Sequence, residues 1–148
     1  MAVQRRPSAG HLVQPGLGEL WSLAAPDLEL SVVIPYYNPG TRLRTTVERL
    51  LTALADAEVT FEVIAVSDGS TDGSPDALED LRSMAGDAVR HVRLGRNGGK
   101  GQALQVGLAM GRGAYLGFID ADGDLAPELL GSFVSLMRSD EPDIILGS

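Results

Sequence analysis

The sequence predicts an α/β fold: a mostly parallel sheet with helices on both faces. Two observations carry this expectation. Short, β-branched apolar runs alternate with stretches whose apolar residues recur at helical spacing, in the order β-α-β-α-β-α-β-α-β. Such alternation implies parallel strands joined by helical crossovers. Every unusual polar cluster also falls just beyond the end of a strand, the rim where open parallel sheets bind ligands.

The elements follow in chain order. Residues 1–26 contain Pro7, Gly10, Pro15, Gly16, Gly18 and Pro26, and residues 1–29 are expected to form a flexible arm. Arg5 and Arg6 have no continuous apolar core after them, so the segment does not read as a secretory signal. Leu20, Trp21 and Leu23 could pin part of it to the domain, which occupies 30–148. The run at 30–35 (Leu-Ser-Val-Val-Ile-Pro) is a buried strand closed by proline, and Tyr36 to Gly40 supply its turn. Thr41 is the expected N-cap of a helix whose core face is Leu43, Val47, Leu50, Leu51 and Leu54.

Residues 61–66 form the second strand, followed by Ser-Asp-Gly-Ser-Thr-Asp-Gly at 67–73, dense in turn formers and side-chain oxygens. Ser74, Pro75 and Asp76 read as cap, first-turn proline and first-turn acid, with Leu78, Leu81 and Met84 inward. The third strand (89–94) leads to Gly-Arg-Asn-Gly-Gly-Lys-Gly at 95–101. A helix carrying Ala103, Leu104, Gly107, Leu108 and Met110 is expected to pack closely on the sheet. The fourth strand (115–119) stops at Asp120, Asp122 and Asp124. Pro127 opens a helix with Leu130, Phe133, Leu136 and Met137 inward, before a last short strand at 144–146.

Composition narrows the function classes. A length of 148 residues with 44% apolar content suffices for one domain with a core. A net charge of −8 argues against a general nucleic-acid binder. The absence of cysteine excludes a disulfide framework and a thiolate metal site and is compatible with a reducing compartment. No apolar run approaches the roughly 20 residues that span a bilayer. His11 and His91 lack metal-ligand spacing and receive no role.

The three carboxylates carry the strongest chemical signal. In extended chain, alternate residues point to one side, so Asp120, Asp122 and Asp124 would crowd together and repel unless a cation or donors neutralise them. Hard oxygen ligands suit Mg²⁺ or Mn²⁺, which also hold substrate phosphates. The bland alternative is a solvated acidic turn. Lys100, the only lysine in the chain, could place a charge near a diphosphate or base; by itself it reads as a solvated loop cation. Other phosphate and metal motifs fail. The 95–101 loop lacks P-loop glycine spacing and the Ser or Thr after its lysine. The first strand leads into Pro35-Tyr-Tyr-Asn rather than a dinucleotide glycine turn. Gly123 and Gly131 stand where an EF-hand would need other residues. A haloacid-dehalogenase aspartate pair belongs on the first strand. The surviving reading is a nucleotide-diphosphate site with a divalent cation.

The segments Val-Val-Ile-Pro-Tyr-Tyr-Asn (32–38), Ser-Asp-Gly-Ser-Thr-Asp-Gly (67–73), Asn-Gly-Gly-Lys-Gly-Gln-Ala (97–103) and Phe-Ile-Asp-Ala-Asp-Gly (118–123) resemble, in order and spacing, the family 2 glycosyltransferases of GT-A, Rossmann-like fold. The resemblance is greatest to the branch that moves a sugar onto dolichyl or other polyprenyl phosphates. It implies an inverting hexosyltransferase using UDP-glucose or GDP-mannose with Mg²⁺ or Mn²⁺. It assigns Pro35, Tyr37, Asn38, Asp68, Asn97, Lys100 and Asp120 to the nucleotide-sugar, Asp122 and Asp124 to the metal, and a catalytic role to Asp120 and Asp122. It further implies a lipid-phosphate acceptor and a cytoplasmic chain with peripheral contact to the cytoplasmic face of a membrane. Pro39 and Ser67 depart from the family pattern, which usually has acids there. Family members continue beyond the equivalent of Ser148, so a chain ending after the nucleotide-binding half is expected. Two alternatives stay open: a non-catalytic nucleotide-sugar or metal-binding module, and an oligomer that completes the sheet across subunits.

Overall fold

The computed structural model describes residues 1–5, 28–123, 126–127, 129–140 and 144–146. Six strands form one sheet: β1 (Ala2–Arg5), β2 (Leu30–Tyr36), β3 (Phe61–Ser67), β4 (Val89–Arg93), β5 (Tyr115–Phe118) and β6 (Ile144–Leu146), in the spatial order β4-β3-β2-β5-β1-β6. β4, β3, β2 and β5 are mutually parallel, and β1 runs antiparallel between β5 and β6. The helices are α1 (Arg42–Asp56), α2 (Ser74–Ala85), α3 (Lys100–Met110) and α4 (Leu129–Asp140).

β2 is buried along its whole length, and its alternating side chains feed two cores. Leu30, Val32, Ile34 and Tyr36 join Leu43, Val47, Leu50 and Leu54 of α1, Leu78 and Leu81 of α2, and Leu130, Val134 and Met137 of α4. Val33 meets the opposite core with Ile64, Val66 and Ala103. Helices therefore cover both faces, as the alternation predicts. The chain steps outward through β3 and β4 with α1 and α2 on one face. α3 then returns it across the other face to β5, on the far side of β2. Crossovers of one hand, run in opposite directions, require opposite faces. The reversal makes the gap between β2 and β5 the switch point of the sheet, where a ligand crevice opens.

α3 achieves its close approach through Gly107. A Cβ there would sit 2.4 Å from Val33 Cγ1 and 3.1 Å from Val66 Cγ2, inside van der Waals contact. At the opposite end of the sheet from the switch-point rim, Glu62 is fully buried. It accepts from Ser31 Oγ (2.8 Å), Arg112 N–H (2.7 Å) and the Arg112 and Arg90 guanidinium groups (3.0 and 3.1 Å). Burial pulls this carboxyl upward, but the donors outweigh it and hold it below the usual glutamate value.

Several sequence expectations need correction. The arm expected over 1–29 is not an arm at residues 2–5. Val3 is fully buried and pairs with Gly117, because a ladder position beside β5 satisfies its backbone and its side chain together. Leu20, Trp21 and Leu23 lie outside the described residues. α2 begins at Ser74 with Gly73 in the N-cap position, so Ser74 is the first helical residue, and its N–H is taken by Asp72. Met84 is 76% exposed and Leu136 45%. Leu130, Val134 and Met137 form the inward stripe of α4, with Phe133 packing beside them. Thr41 does occupy the N-cap of α1, without a side-chain cap bond.

Candidate functional site

The polar loops after β2, β3, β4 and β5 meet on one rim and are tied to one another before any ligand is considered. Asn38 adopts a left-handed conformation (φ 47°). Its N–H donates to Ser70 Oγ (3.0 Å), and its Oδ1 accepts from Thr71 N–H (2.8 Å). Asp72 accepts from Gly40 N–H (2.7 Å) and from the N–H and hydroxyl of Ser74 (3.1 and 2.5 Å). Desolvation opposes ionisation of Asp72, but these donors prevail and hold its carboxyl below the usual aspartate value. The turn after β2 is thus zipped to the loop after β3.

A second clamp joins the loop after β3 to the loop after β4. Asp68 is only 3% exposed, and its two oxygens accept from Gly98 N–H and Gly99 N–H, both at 2.8 Å. Gly69 permits the approach. Its φ is +72°, and a Cβ would lie 2.6 Å from the backbone carbon of Arg96. Asn97 Oδ1 accepts from Gly99 N–H (3.2 Å) and so closes its own loop. Lys100 begins α3, ion-pairs with Asp120 two residues beyond β5, and lies 5.7 Å from the centroid of the Phe118 ring.

β5 ends at Phe118, and the chain turns at Ala121 and Asp122, with Gly123 left-handed. The extended geometry expected there therefore does not hold between Asp120 and Asp122. The turn nevertheless brings Asp120 and Asp122 to one cleft of about 470 Å³, shared with Pro35, Tyr37, Asn38 and Asp72. Asp124 lies outside the described residues. Among the described residues, no group of three His, Cys, Asp or Glu side chains is gathered for a metal. The two cleft carboxylates are hard oxygen donors suited to Mg²⁺ or Mn²⁺, ions that commonly take one or two carboxylates and complete their shell with phosphate oxygens and water. In the present arrangement Asp120 has Lys100 as its counter-charge.

A neighbouring recess of about 150 Å³ is lined by Pro35, Tyr36, Tyr37, Asp68, Lys100 and Ala103. Tyr37, 52% exposed, borders both spaces. The structure thus gathers Pro35, Tyr37, Asn38, Asp68, Lys100, Asp120 and Asp122 around the cleft and its recess. Asn97 lines neither.

Tyr36 rests on a partly buried support that has little sequence signature. Its hydroxyl lies 2.7 Å from His91 Nε2, and His91 Nδ1 lies 3.2 Å from Glu79 Oε2. Burial pushes the phenol up to about 12 and lowers the imidazole from its ordinary value. A neutral ring that donates to Glu79 and accepts from Tyr36 fits both distances. The sequence signal is weak, because 55 residues separate Tyr36 from His91.

The sequence model of glycosyl transferase family 2 matches residues 31–148. The chain belongs to glycosyl transferase family 2. It is 40% identical over 105 residues to a dolichyl-phosphate beta-glucosyltransferase of Drosophila melanogaster, covering 67% of this chain and 32% of that protein. It is 34% identical over 120 residues to a dodecaprenyl-phosphate galacturonate synthase of Rhizobium johnstonii, covering 81% and 36%. The chain therefore spans about a third of the length of these relatives. Among solved structures, S. aureus TarS 1-349 in complex with UDP superposes with a TM-score of 0.61 at 27% identity, covering 77% of this chain and 33% of that one. The mannosyltransferase PcManGT of Pyrobaculum calidifontis, in complex with GDP-Man and Mn²⁺, gives 0.64 at 24% identity, covering 80% and 36%; this likeness speaks to the fold. Among the described residues of this family 2 chain, no helix is long and apolar enough to cross a membrane.

Proposed function

We propose that this chain is the donor-binding part of a glycosyltransferase that moves a sugar from a nucleotide diphosphate to a polyprenyl phosphate. The observation that carries the reading is the meeting of Asp120 and Asp122 with the Pro35–Asn38 segment in one cleft at the switch point of the sheet. Family membership supports sugar transfer, and the dolichyl- and dodecaprenyl-phosphate relatives support a lipid-phosphate acceptor. The UDP bound to TarS supports a nucleotide-diphosphate donor.

The residues have separable roles in this reading. Asp120 and Asp122 would hold a Mg²⁺ or Mn²⁺ ion, which would supply Lewis-acid neutralisation to a diphosphate leaving group. Asp124 adjoins them in the sequence and is assigned to the same ion. Lys100, freed from part of its pairing with Asp120, offers a point charge to a phosphate. The recess beside Tyr37 accommodates the planar base, with Asp68 acting through the loop it clamps. A phosphate acceptor arrives already anionic and needs no strong general base.

Calorimetric titration of UDP-glucose and GDP-mannose, with Mn²⁺ and then with chelator, tests the reading. Metal-dependent binding of one donor is expected, and Asp122→Asn should weaken it about tenfold, near 1.4 kcal/mol. No binding of either donor by the folded chain, or binding indifferent to chelator and to Asp122→Asn, would sink it.

A further inference from the structure

We infer that Arg42 receives a phosphate group in the cleft between the β2–α1 turn and the end of β5. The inference rests on reading that cleft as the nucleotide-sugar site. Three described carboxylates, Asp72, Asp120 and Asp122, line the cleft together with one cation, Arg42. The carboxylates are already engaged within the protein. Asp72 is held by Gly40 and Ser74, Asp120 is paired with Lys100, and Asp122 also has a partner. Among the described residues, no ion pair or hydrogen bond engages the Arg42 side chain, which is exposed at the start of α1.

The helix itself offers Arg42 no partner. A helical arginine pairs with an acid three or four residues away, and at the start of α1 only the positions after Arg42 are helical. Arg44 does so with Glu48 at 2.8 Å, whereas Arg42 is followed at those spacings by Thr45 and Thr46. Thr46 is committed elsewhere: its buried hydroxyl donates to the carbonyl of Ala121 at 3.2 Å. That bond docks the N-terminal end of α1 on the turn carrying Asp120 and Asp122. Arg42 thus shares a wall with the carboxylates proposed to hold the cation. A cleft that gathers a cation and phosphates needs donors for the phosphate oxygens that the metal does not bind. A guanidinium presents a planar fork matched to two such oxygens. An arginine merely solvated on the rim would contribute nothing to ligand affinity beyond a screened, long-range attraction.

Two phosphates could meet Arg42: one from the donor diphosphate, or the terminal phosphate of the acceptor. Arg42→Ala and Arg42→Lys are titrated against three probes with Mn²⁺ present: UDP, inorganic pyrophosphate, and citronellyl phosphate added to the UDP-saturated protein. Arg42→Ala is expected to weaken at least one probe about tenfold, with Arg42→Lys intermediate because it keeps the charge and loses the fork. Loss confined to UDP and pyrophosphate assigns Arg42 to the donor; loss confined to citronellyl phosphate assigns it to the acceptor. Unchanged affinity for all three probes, in a variant whose circular dichroism and melting match the parent, overturns the inference and leaves the donor-site reading intact. Arg42-dependent pyrophosphate binding without any nucleotide binding supports Arg42 and removes the donor-site reading. A parent protein that binds none of the probes overturns both.

Discussion

Asp68 separates two accounts of the same residue. The family resemblance makes it a contact to base or ribose, whereas its oxygens are both occupied by Gly98 N–H and Gly99 N–H at 2.8 Å in a position 3% exposed. Asp68→Asn keeps the shape, retains one acceptor and turns an NH₂ group toward a backbone N–H. One hydrogen bond to a charged acceptor, worth about 1.5–3 kcal/mol, is lost, and a buried N–H is left unsatisfied. Partial relaxation of the glycine loop offsets some of that, so the expected destabilisation is about 2–3 kcal/mol. For a chain of this length, about 3 °C of melting temperature corresponds to each kcal/mol, giving a fall of about 6–9 °C. Urea unfolding of the ligand-free protein, followed by circular dichroism, reads the effect directly. The loss should be present without any nucleotide, because the clamp is internal. Unchanged unfolding free energy, with nucleotide affinity reduced, would refute the clamp and return Asp68 to direct ligand contact.

Other expectations follow from the same geometry. Glu62 has a depressed folded-state pKa, so its stabilising contribution is present above the unfolded value near 4.5 and declines as pH falls through the lower folded value. Glu62→Gln should flatten that acid limb while lowering stability at neutral pH, and chemical denaturation from pH 7 to 3 measures both. Gly107→Ala gains about 1 kcal/mol of helix propensity but drives a methyl into Val33, an overpacking of about 1–3 kcal/mol. A net loss of about 1 kcal/mol is expected, and a thermal melt that rises instead would contradict the close approach of α3. Tyr36 has its folded-state pKa raised from 10.0 to about 12, so the stability it contributes is complete below pH 10 and is lost between those values. Ultraviolet titration should show a late phenolate step that Tyr36→Phe removes, and its absence would argue against a buried Tyr36–His91 contact.

The sequence by itself determined the alternation of strands and helices, the faces of most helices, and the placing of four polar clusters at strand ends. These features rest on local periodicity: the alternating core residues of β2 and the stripe Leu43, Val47, Leu50 and Leu54 show within short stretches of chain. It also placed Gly107 among the five residues expected to pack α3 closely on the sheet, and the structure shows the glycine itself to be the point of closest approach. β1 escaped it, since the four residues Ala2–Arg5 are too few to display a period and acquire their meaning only beside β5. The partners of the rim residues were likewise not legible. Asp68 turns to Gly98 and Gly99 thirty residues away, Asn38 to Ser70 and Thr71, and Asp120 to Lys100. A polar side chain chooses among whatever donors the fold carries across the rim, and that choice belongs to the tertiary structure. Arg42 belongs to the same class. It is an ordinary helical arginine in the sequence, and only the docking of Thr46 on Ala121 places the N-terminal end of α1 beside Asp120 and Asp122.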